Sequence, residues 1–520
     1  MIVSVTLDLA LDNGSTYAGG LGILEGDKFY AMADLGVPYT VFTLYYRRGY
    51  VAQRYEATAL ALEPEEQESA FLQKLCPEQD LTISLNGEAV RVRPLAYCHG
   101  TARAVFFEAV APEWATALTD RIYIERDERE RFLKMALLVR ASFQYIQDRF
   151  GWDRIRYVDF QESGPALGIP AVPPEKAGFV LHTPGPWGHP VFPRDWVVTE
   201  FRDWIEAGRW QAPLYGTDVV HLTEQALRHA RRVFAVSQKH RHISEQTFPV
   251  ARGRLQAATN GIYLKRWQHP DVALAVESGD FSAFVAVRER LRRDGLHYWG
   301  RPADFPGPIL LWARRLTRYK RPYFVTRFIG RHPDLPALFV LGGRPHPHDE
   351  EGIRYAETFL DLARRDPRVV LVENYNLSWA RRLMAWCDLL LFTPFSGWEA
   401  CGTSFMKAGV NGVPTLSSRD GGALEMIRAG ENGWFFGEER FELIDIFGDP
   451  RWPAMDEADY ADFERRLLEI VDLYRKDRMT FYRVGFRAAQ TFSRQADIRR
   501  TLRILYDSLV PAPDGPAPSS

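Results

Sequence analysis

Residues 394–412 read PFSGWEACGTSFMKAGVNG, and this stretch decides how the rest of the chain is interpreted. The apolar run LLLF at 389–392 comes before it and is typical of a strand buried in a parallel sheet. A helix is predicted over 404–409, with Gly412 as its stop signal. A strand, a glycine turn and a helix in this order favour binding of a phosphate at the turn, where backbone N–H groups are unpaired.

The side chains of this turn carry further chemistry. Gly402 allows a ligand to approach the backbone closely, and Thr403 adds a hydroxyl group. Lys407 follows within about one helical turn, so its amine can reach the same anion. Glu399 lies at the strand end, where a carboxylate can bind sugar hydroxyls. On spacing alone, an ordinary turn with a solvated lysine explains the pattern equally well, since glycine-rich turns are common in α/β proteins.

Residues 399–407, EACGTSFMK, resemble the segment of α-glucan phosphorylases (glycogen, starch and maltodextrin phosphorylases) that carries the cofactor lysine. The resemblance implies that Lys407 holds pyridoxal phosphate covalently, with Gly402 and Thr403 in the cofactor site. Many nucleotide-sugar-dependent relatives of the same architecture have a second Glu eight residues after the first. This chain has Lys407 at that position, which favours a phosphorylase.

Composition limits the class of protein. A chain of 520 residues predicts two or three domains, and its 46% hydrophobic and 25% charged residues are ordinary for a soluble globular protein. The net charge of −2 gives no reason to expect a nucleic acid or membrane partner. The four cysteines show no metal-ligand spacing, so no metal is expected, and they suggest a reduced compartment. Without a signal peptide or membrane span in the sequence, we expect a cytoplasmic protein.

A second glycine turn lies near the first residue. A strand is predicted over 2–11, a glycine turn over 16–22 and a helix over 24–35. Alone, the pattern fits a tight turn without ligand. Residues 18–36 and 44–56, however, resemble the phosphorylase glycine loop and the strands after it. In that family the loop covers the catalytic phosphate, which implies a role for Gly20 in catalysis and for Gly19 in substrate binding.

Two further motifs gain a role only through the resemblance. Residues 181–189, LHTPGPWGH, resemble the segment whose first histidine contacts the glucosyl unit, which implies this role for His182. A histidine at a strand end is otherwise more often structural. Asn260, in a Thr-Asn-Gly motif, is similar to a sugar or phosphate ligand of the family, and Trp267 to a residue near the cofactor. Without the resemblance, Asn260 and the following glycine predict a turn.

A basic run follows another predicted strand, 309–313. Residues 314–321, RRLTRYKR, contain five cations, which is usually a solvated face. Here the run begins at the carboxyl end of a strand, where open α/β sheets bind ligands. It resembles the phosphorylase RxxxYKR signature, which implies that Arg315 and Lys320 bind the substrate phosphate and Arg314 the cofactor. Tyr375, in the segment ENYN, similarly implies a residue lining the cofactor phosphate.

Strands alternate with helices along most of the chain, which predicts parallel, doubly wound sheets. The resemblance implies the GT-B architecture, two Rossmann-like domains that face a central cleft. An exception is a predicted antiparallel region over 81–109 with a hairpin at Asn86. The expected parts are an N-terminal domain at 1–265, a linker at 266–301, a C-terminal domain at 302–490, a crossover helix at 491–510 and a disordered tail at 511–520.

The chain departs from the family at several positions. Residues 162–165, ESGP, fall where the family has an acidic residue followed two positions later by a histidine, and Gly164 removes that imidazole. Phe405 replaces a small or polar residue near the cofactor lysine. After Val413 the sequence is as similar to nucleotide-sugar glycosyltransferases as to phosphorylases. These differences bear mainly on acceptor recognition.

The sequence therefore predicts a retaining α-glucan phosphorylase that converts α-glucan or maltodextrin and inorganic phosphate to glucose 1-phosphate. Two alternatives stay open. A glucosyltransferase would use ADP- or UDP-glucose and hold its diphosphate on Arg315 and Lys320. An inactive glucan-binding protein would follow if the lost histidine had abolished turnover. The glycine loop lies close to the first residue, whereas related enzymes have a helical segment before it, so no oligomeric state is predicted.

Overall fold

The computed structural model describes residues 1–12, 14–56, 60–210 and 213–511. The chain divides into two compact units. The first comprises Met1–Tyr50, Pro64–Thr259 and Thr501–Ser520, and the second comprises Val51–Glu63 and Asn260–Arg500. Each unit therefore combines segments that are far apart in sequence. Of the predicted tail 511–520, only Pro511 lies within the described residues.

The strands of both units are short, as is usual for α/β proteins. In chain order they are β1 Ile2–Val5, β2 Tyr39–Leu44, β3 Ala52–Tyr55, β4 Leu60–Glu63, β5 Cys76–Pro77, β6 Leu81–Leu85, β7 Glu88–His99, β8 Ala102–Ala111, β9 Tyr157–Gln161, β10 Ala177–Leu181, β11 Val191–Pro193, β12 Val219–His221, β13 Arg232–Ala235, β14 Gln256–Ala257, β15 Ile309–Ala313, β16 Leu338–Gly342, β17 Val369–Val372, β18 Leu389–Phe392, β19 Thr415–Ser418 and β20 Trp434–Phe436.

The α-helices range from single turns to α17, which has 25 residues. In chain order they are α1 Gly20–Asp34, α2 Ser69–Leu72, α3 Glu113–Thr116, α4 Glu128–Tyr145, α5 Arg194–Glu200, α6 Arg202–Glu206, α7 Leu222–His229, α8 Gln238–Thr247, α9 Leu264–Trp267, α10 Pro270–Glu277, α11 Phe281–Tyr298, α12 Pro322–Arg331, α13 Glu350–Arg365, α14 Leu377–Trp386, α15 Ser404–Gly409, α16 Ala423–Met426, α17 Trp452–Lys476, α18 Arg478–Gln495 and α19 Ile498–Tyr506. None of these helices is long and apolar enough to cross a membrane.

The sheet of the first unit has the order β14-β13-β10-β9-β1-β2-β8-β7-β5, and β6 also pairs with β7. All neighbours from β14 to β8 are parallel, whereas β7 runs antiparallel to β8, β6 and β5. The predicted hairpin is confirmed, with both turn residues, Asn86 and Gly87, at positive φ. Strand order reverses at β1, which lies between β2 and β9.

The sheet of the second unit is parallel throughout, in the order β17-β16-β15-β18-β19-β20. Counted within the unit, this is the 3-2-1-4-5-6 order of doubly wound folds, in which the chain reverses direction between the first and fourth strands. The mixed α/β class with parallel sheets, predicted from the sequence, is therefore confirmed. The reversal between β15 and β18 leaves a crevice at their carboxyl ends, where ligands bind in such sheets.

Trp312 fixes the centre of this second sheet. Its indole is fully buried, and its Nε1 donates a hydrogen bond of 2.9 Å to Thr393 Oγ1, just beyond β18. Thr393 Oγ1 in turn donates to the carbonyl of Lys320 at 2.7 Å. This chain of hydrogen bonds joins the loops that follow β15 and β18, so the residues they carry are held in a fixed relation.

Candidate active site

The basic run and the glycine turn meet at the crevice of the second unit. Arg314 follows β15 directly, and Lys320 ends the short 3₁₀ turn Arg318–Lys320 on the same loop. Glu399 comes from the loop after β18, the neighbouring strand. The switch in strand order thus brings residues that are about eighty positions apart in sequence to one end of the sheet.

Glu399 is paired with Lys320, predicted to bind the substrate phosphate, and with Arg314, predicted to bind the cofactor. Its Oε2 accepts hydrogen bonds from Arg314 Nη2 at 2.9 Å and from Lys320 Nζ at 2.8 Å. All three side chains are nearly buried, with 9–11% of their surface exposed. Burial alone would raise the pKa of Glu399, but the charges of Arg314 and Lys320 outweigh burial and lower that pKa to about 2. The carboxylate is therefore ionised at neutral pH.

Arg314 has hydrogen-bonding capacity that the described part of the chain does not use. Its Nε and Nη1 groups are buried without a hydrogen-bond partner among the described residues, while its guanidinium lies 4.1 Å from the centre of the Phe392 ring. Buried, unsatisfied N–H groups on a cation are costly, and an anion at this place would satisfy them. The exposed Arg315 is the next residue of the same loop.

Gly402 gives Glu399 the space that this pairing requires. A Cβ atom at position 402 would lie 2.5 Å from Glu399 Oε1 and 2.8 Å from the Phe392 ring. Both distances are too short for a carbon contact, so any larger residue would displace the carboxylate. Thr403 follows and precedes α15, and its carbonyl accepts a hydrogen bond of 3.1 Å from the Lys407 N–H.

Lys407 is buried against an aromatic ring in α15. Its Nζ lies 3.9 Å from the centre of the Trp267 ring, and both residues are at most 5% exposed. The Asn411 side chain donates hydrogen bonds of 2.8 Å to the carbonyls of both Trp267 and Lys407. The structure therefore brings the predicted cofactor lysine and the predicted cofactor tryptophan together.

Asn260 and Tyr375 complete the predicted residues of the second unit. Asn260 is buried and donates from Nδ2 to the carbonyl of Cys401 at 3.1 Å, directly beside Gly402. Tyr375 lies half-buried beyond the end of β17. Tyr375 and Arg314 both lie at the carboxyl ends of their strands. Because β16 separates β17 from β15, the two strands are about 10 Å apart.

The remaining cations of the basic run have structural partners. Arg318 pairs with Glu351 at 2.7 Å and is partly exposed. Arg321 is fully buried, pairs with Asp459 at 2.8 Å and donates to the carbonyls of Thr393 and Pro394. Only the resemblance to the phosphorylase signature separates these two cations from Arg314, Arg315 and Lys320, since all five occur within eight residues.

In the first unit, the glycine turn leads from β1 to α1. Gly19 is the N-cap residue of the 15-residue helix α1, and Gly20 is its exposed first residue. A buried carboxyl, Asp8, lies under this turn, 3.4 Å from the N–H of Ala18. Burial raises the pKa of Asp8 to about 6, although hydrogen bonds from Ala18 and Tyr123 oppose the shift. Sequence reasoning did not single out Asp8.

His182 lies immediately after β10, at the same end of this sheet as the glycine turn. Its Nε2 donates to Gln161 Oε1 at 3.0 Å. Burial, with smaller effects from Lys28 and His240, lowers the pKa of His182 well below its ordinary value, so the imidazole is neutral near pH 7. Between β10 and β1 lies β9, so the strands that lead to His182 and to the glycine turn are not neighbours.

Glu162 directly follows β9 and is the acidic residue of the segment ESGP, to which the sequence assigned no role of its own. Its φ of 72° is unusual for a residue with a side chain, and its Oε2 is buried without a hydrogen-bond partner among the described residues. Burial raises its pKa to about 7. Two residues on, the expected imidazole has no room, since a Cβ at Gly164 would lie 2.9 Å from Leu7.

Comparison with known proteins gives a consistent set of relatives. The family model described as carbohydrate phosphorylase matches residues 362–488. The chain is 24% identical to the maltodextrin phosphorylase of Thermococcus litoralis over 82% of this chain and 61% of that protein. It is 27% identical to the glycogen phosphorylase of Mycobacterium bovis over 80% of this chain and 60% of that protein. An uncharacterised protein of Methanocaldococcus jannaschii is 25% identical over 89% of this chain and 91% of its own length.

The matches to the two phosphorylases extend well beyond the region of the family model and include both units. The chain spans about three fifths of the length of these two curated relatives.

Proposed function

The chain is a relative of the α-glucan phosphorylases, and we propose that it catalyses the reversible phosphorolysis of α-1,4-glucans, releasing glucose 1-phosphate with retention at the anomeric carbon. The observation that carries the proposal is the meeting of Arg314 and Lys320 at Glu399, beside the glycine turn that leads to Lys407. The two cations suit an anion, the carboxylate suits sugar hydroxyls, and the lysine amine suits a cofactor aldehyde.

The reaction needs a bound phosphate and a proton for the departing sugar oxygen. Lys320 and Arg315 would hold the substrate phosphate, because a compact ammonium and a forked guanidinium both suit phosphate oxygens. The phosphate itself can donate the proton and then stabilise the positive charge that develops at the anomeric carbon. No pair of protein carboxyl groups is then required.

The sugar would be held by hydroxyl-binding groups from both units. Glu399, Asn260 and the turn at Gly402 would serve from the second unit, and the neutral imidazole of His182 from the first. The glycine turn at Gly19 and Gly20 would offer backbone N–H groups to the phosphate. This arrangement requires the GT-B architecture, with the two units facing a common cleft, which is part of the proposal.

Pyridoxal phosphate fits the side chains present in the second unit. Its aldehyde needs a lysine amine, and Lys407 is buried against the flat ring of Trp267. Its phosphate needs buried donors, and Arg314 has two N–H groups that no described residue satisfies. Thr403 and Tyr375 are proposed as further contacts. When bound, the cofactor would supply a second phosphate group as the proton partner of the substrate phosphate.

The proposal is tested by incubating the protein with maltodextrin, phosphate and pyridoxal phosphate and measuring glucose 1-phosphate. Lys320→Ala should lower the rate by about 10²–10³-fold, the usual loss for one preorganised charge. Arg318→Ala is the matched control, since this neighbouring cation pairs with Glu351 instead, and the rate should stay within a few fold.

If no glucose 1-phosphate forms, the proposed reaction is wrong. Transfer of glucose from ADP- or UDP-glucose to maltodextrin by the same preparation would assign the chain to the nucleotide-sugar glucosyltransferases instead.

A further inference from the structure

The loop after β19 holds the turn that carries Glu399. Asp420, which is 2% exposed, accepts three backbone hydrogen bonds. Its Oδ2 accepts from the Glu399 N–H at 2.7 Å, and its Oδ1 accepts from the N–H groups of Gly397 and Gly421 at 2.9 Å each. A single buried carboxylate thus joins two positions of the Glu399 turn to its own loop.

The glycine after Asp420 makes this approach possible. Gly421 has a φ of 52°, and a Cβ there would lie 2.4 Å from the carbonyl oxygen of Glu399. A second link is Ser396, whose hydroxyl donates to the carbonyl of Arg419 at 2.8 Å. The two loops are therefore in close contact on both sides of Asp420, and the backbone at Glu399 has little freedom to shift.

We propose that Asp420 is a positioning residue, which fixes the Glu399 backbone so that the carboxylate reaches Lys320 and Arg314. In the ligand-free protein Glu399 then occupies these cations as an internal anion and competes with phosphate for them. The proposal rests on the proposed function in that it takes this crevice to be the phosphate site.

Asp420→Asn is the sharpest test because it keeps the shape of the side chain. A carboxamide that keeps its oxygen toward Gly397 and Gly421 turns its NH₂ group toward the Glu399 N–H, which loses its acceptor. Hydrogen exchange, followed by mass spectrometry of the peptide with residues 395–401, should then be about tenfold faster than in the wild type. Unchanged exchange would overturn the proposal.

Binding of inorganic phosphate to the full chain, measured by calorimetry, shows whether Asp420 acts through Glu399. Glu399→Gln removes the internal anion and should tighten phosphate binding by about tenfold. Asp420→Asn loosens the anion and should tighten binding by a few fold, a direction that general damage to the site would not produce. In the Glu399→Gln background, Asp420→Asn should have no further effect, because the two residues act on the same contact.

Asp388→Asn is the matched control. Asp388 is also a buried carboxylate that accepts a backbone N–H, from Ile309 at 2.8 Å, but at the opposite end of the same sheet. It should change neither the exchange of residues 395–401 nor phosphate affinity. Weaker phosphate binding by Asp420→Asn, or additive effects in the double variant, would overturn the proposal. If no variant binds phosphate, the proposed function fails, and hydrogen exchange alone then decides the role of Asp420.

Discussion

Glu399 is a carboxylate held between two nearly buried cations, and its protonation is therefore linked to folding. Its pKa in the folded protein is about 2 against an ordinary 4.5, because Arg314 and Lys320 outweigh the effect of burial. The resulting stabilisation is fully present above about pH 4.5 and is lost as the pH falls toward 2. A shift of this size corresponds to about 3 kcal/mol.

We expect Glu399→Gln to lower the free energy of unfolding at pH 7 by about 3 kcal/mol, since two buried cations lose their counterion. The difference from the wild type should shrink as the pH falls below 4.5, which urea titrations at several pH values would measure. Glu351→Gln is the control: its carboxylate is 22% exposed and pairs with the partly exposed Arg318, so the change should stay below about 1 kcal/mol. Equal losses in both variants would contradict the account.

Glu162 gives the opposite pH dependence. Burial raises its pKa from an ordinary 4.5 to about 7, so the folded protein keeps a proton that the unfolded chain releases between these values. Stability should therefore fall as the pH rises from 4.5 to 7. Between pH 4.5 and 7, the free energy of unfolding of Glu162→Gln should rise by about 3 kcal/mol relative to that of the wild type. Thermal or urea unfolding at several pH values would measure this difference.

Glu128→Gln, at a residue whose side chain is 64% exposed, should show no such gain. A pH profile of Glu162→Gln that runs parallel to the wild type would show that the carboxyl ionises normally. The pKa shifts of Glu399 and Glu162 could not be predicted from the sequence, because they depend on burial and on neighbours from other strands. Only the position of Glu399 in the turn could be predicted.

At the scale of elements, the loop after β15 is held by a buried ion-pair network. Arg321, the N-cap residue of α12, has a φ of 51° and pairs with Asp459 of α17, which also pairs with Arg440 at 2.9 Å. The hydrogen bonds that Arg321 donates to the carbonyls of Thr393 and Pro394 connect this network to the loop after β18. The loops that form the crevice are thus stabilised by Arg321, Asp459 and Arg440, none of which is a candidate site residue.

Arg321→Met should destabilise the protein by about 3–5 kcal/mol, because it leaves Asp459 buried with one cation fewer. Arg327→Met, on the same helix, removes an ion pair to Glu457 whose side chains are 38% and 61% exposed, and should cost at most about 1 kcal/mol. Chemical denaturation of the two variants side by side measures the difference. Equal, small losses would show that the buried network contributes little.

The elements predicted best are those that are buried on both faces. The runs at 309–313 and 389–392 became strands with the predicted ends, since continuous apolar residues are typical of parallel strands. The predicted strand over 2–11 was too long, because only Ile2–Val5 pairs in the sheet. Residues 7–11 are buried beyond the end of β1, under the glycine turn. The alternation of residue types does not distinguish such a buried loop from a strand.

Tertiary pairing also produces a break between two helices within the predicted crossover helix, 491–510. The chain leaves α18 at Gln495 and begins α19 at Ile498. In between, Ile262 donates its N–H to Ala496 and accepts from Ile498, at 2.7 and 3.0 Å. The partner is more than 230 residues away, so local helix propensity carried no information about the break.

At the scale of the molecule, each unit is completed by a segment from elsewhere in the chain. Residues 51–63 join the second unit and residues 501–520 the first. In the first unit, Tyr506 of α19 donates to the buried Asp159 of β9 at 2.6 Å, which connects α19 to the centre of the sheet. Long-range contacts decide which unit each of these segments joins. The sequence could suggest such contacts only through its resemblance to a family.

The candidate site was predictable to the extent that motifs mark the ends of strands. Arg314, Lys320, Glu399 and Gly402 were predicted in this way and lie together in the second unit. The roles of His182 and Gly20 remain predictions, and the buried settings of Asp8, Glu162 and Asp420 were not predicted. These three are carboxyl groups that bond to backbone or to neighbouring loops, which a local sequence pattern does not show.

The identity of the group on Lys407 tests the account most directly. The protein is incubated with pyridoxal phosphate, reduced with borohydride, digested and analysed by mass spectrometry. We expect the cofactor on the peptide with Lys407, its near-ultraviolet or visible absorbance before reduction, and the loss of both in Lys407→Ala. Lys476→Ala, a change at a residue whose side chain is 76% exposed, should keep both. A colourless protein with unmodified Lys407 that transfers glucose from a nucleotide sugar would contradict the account.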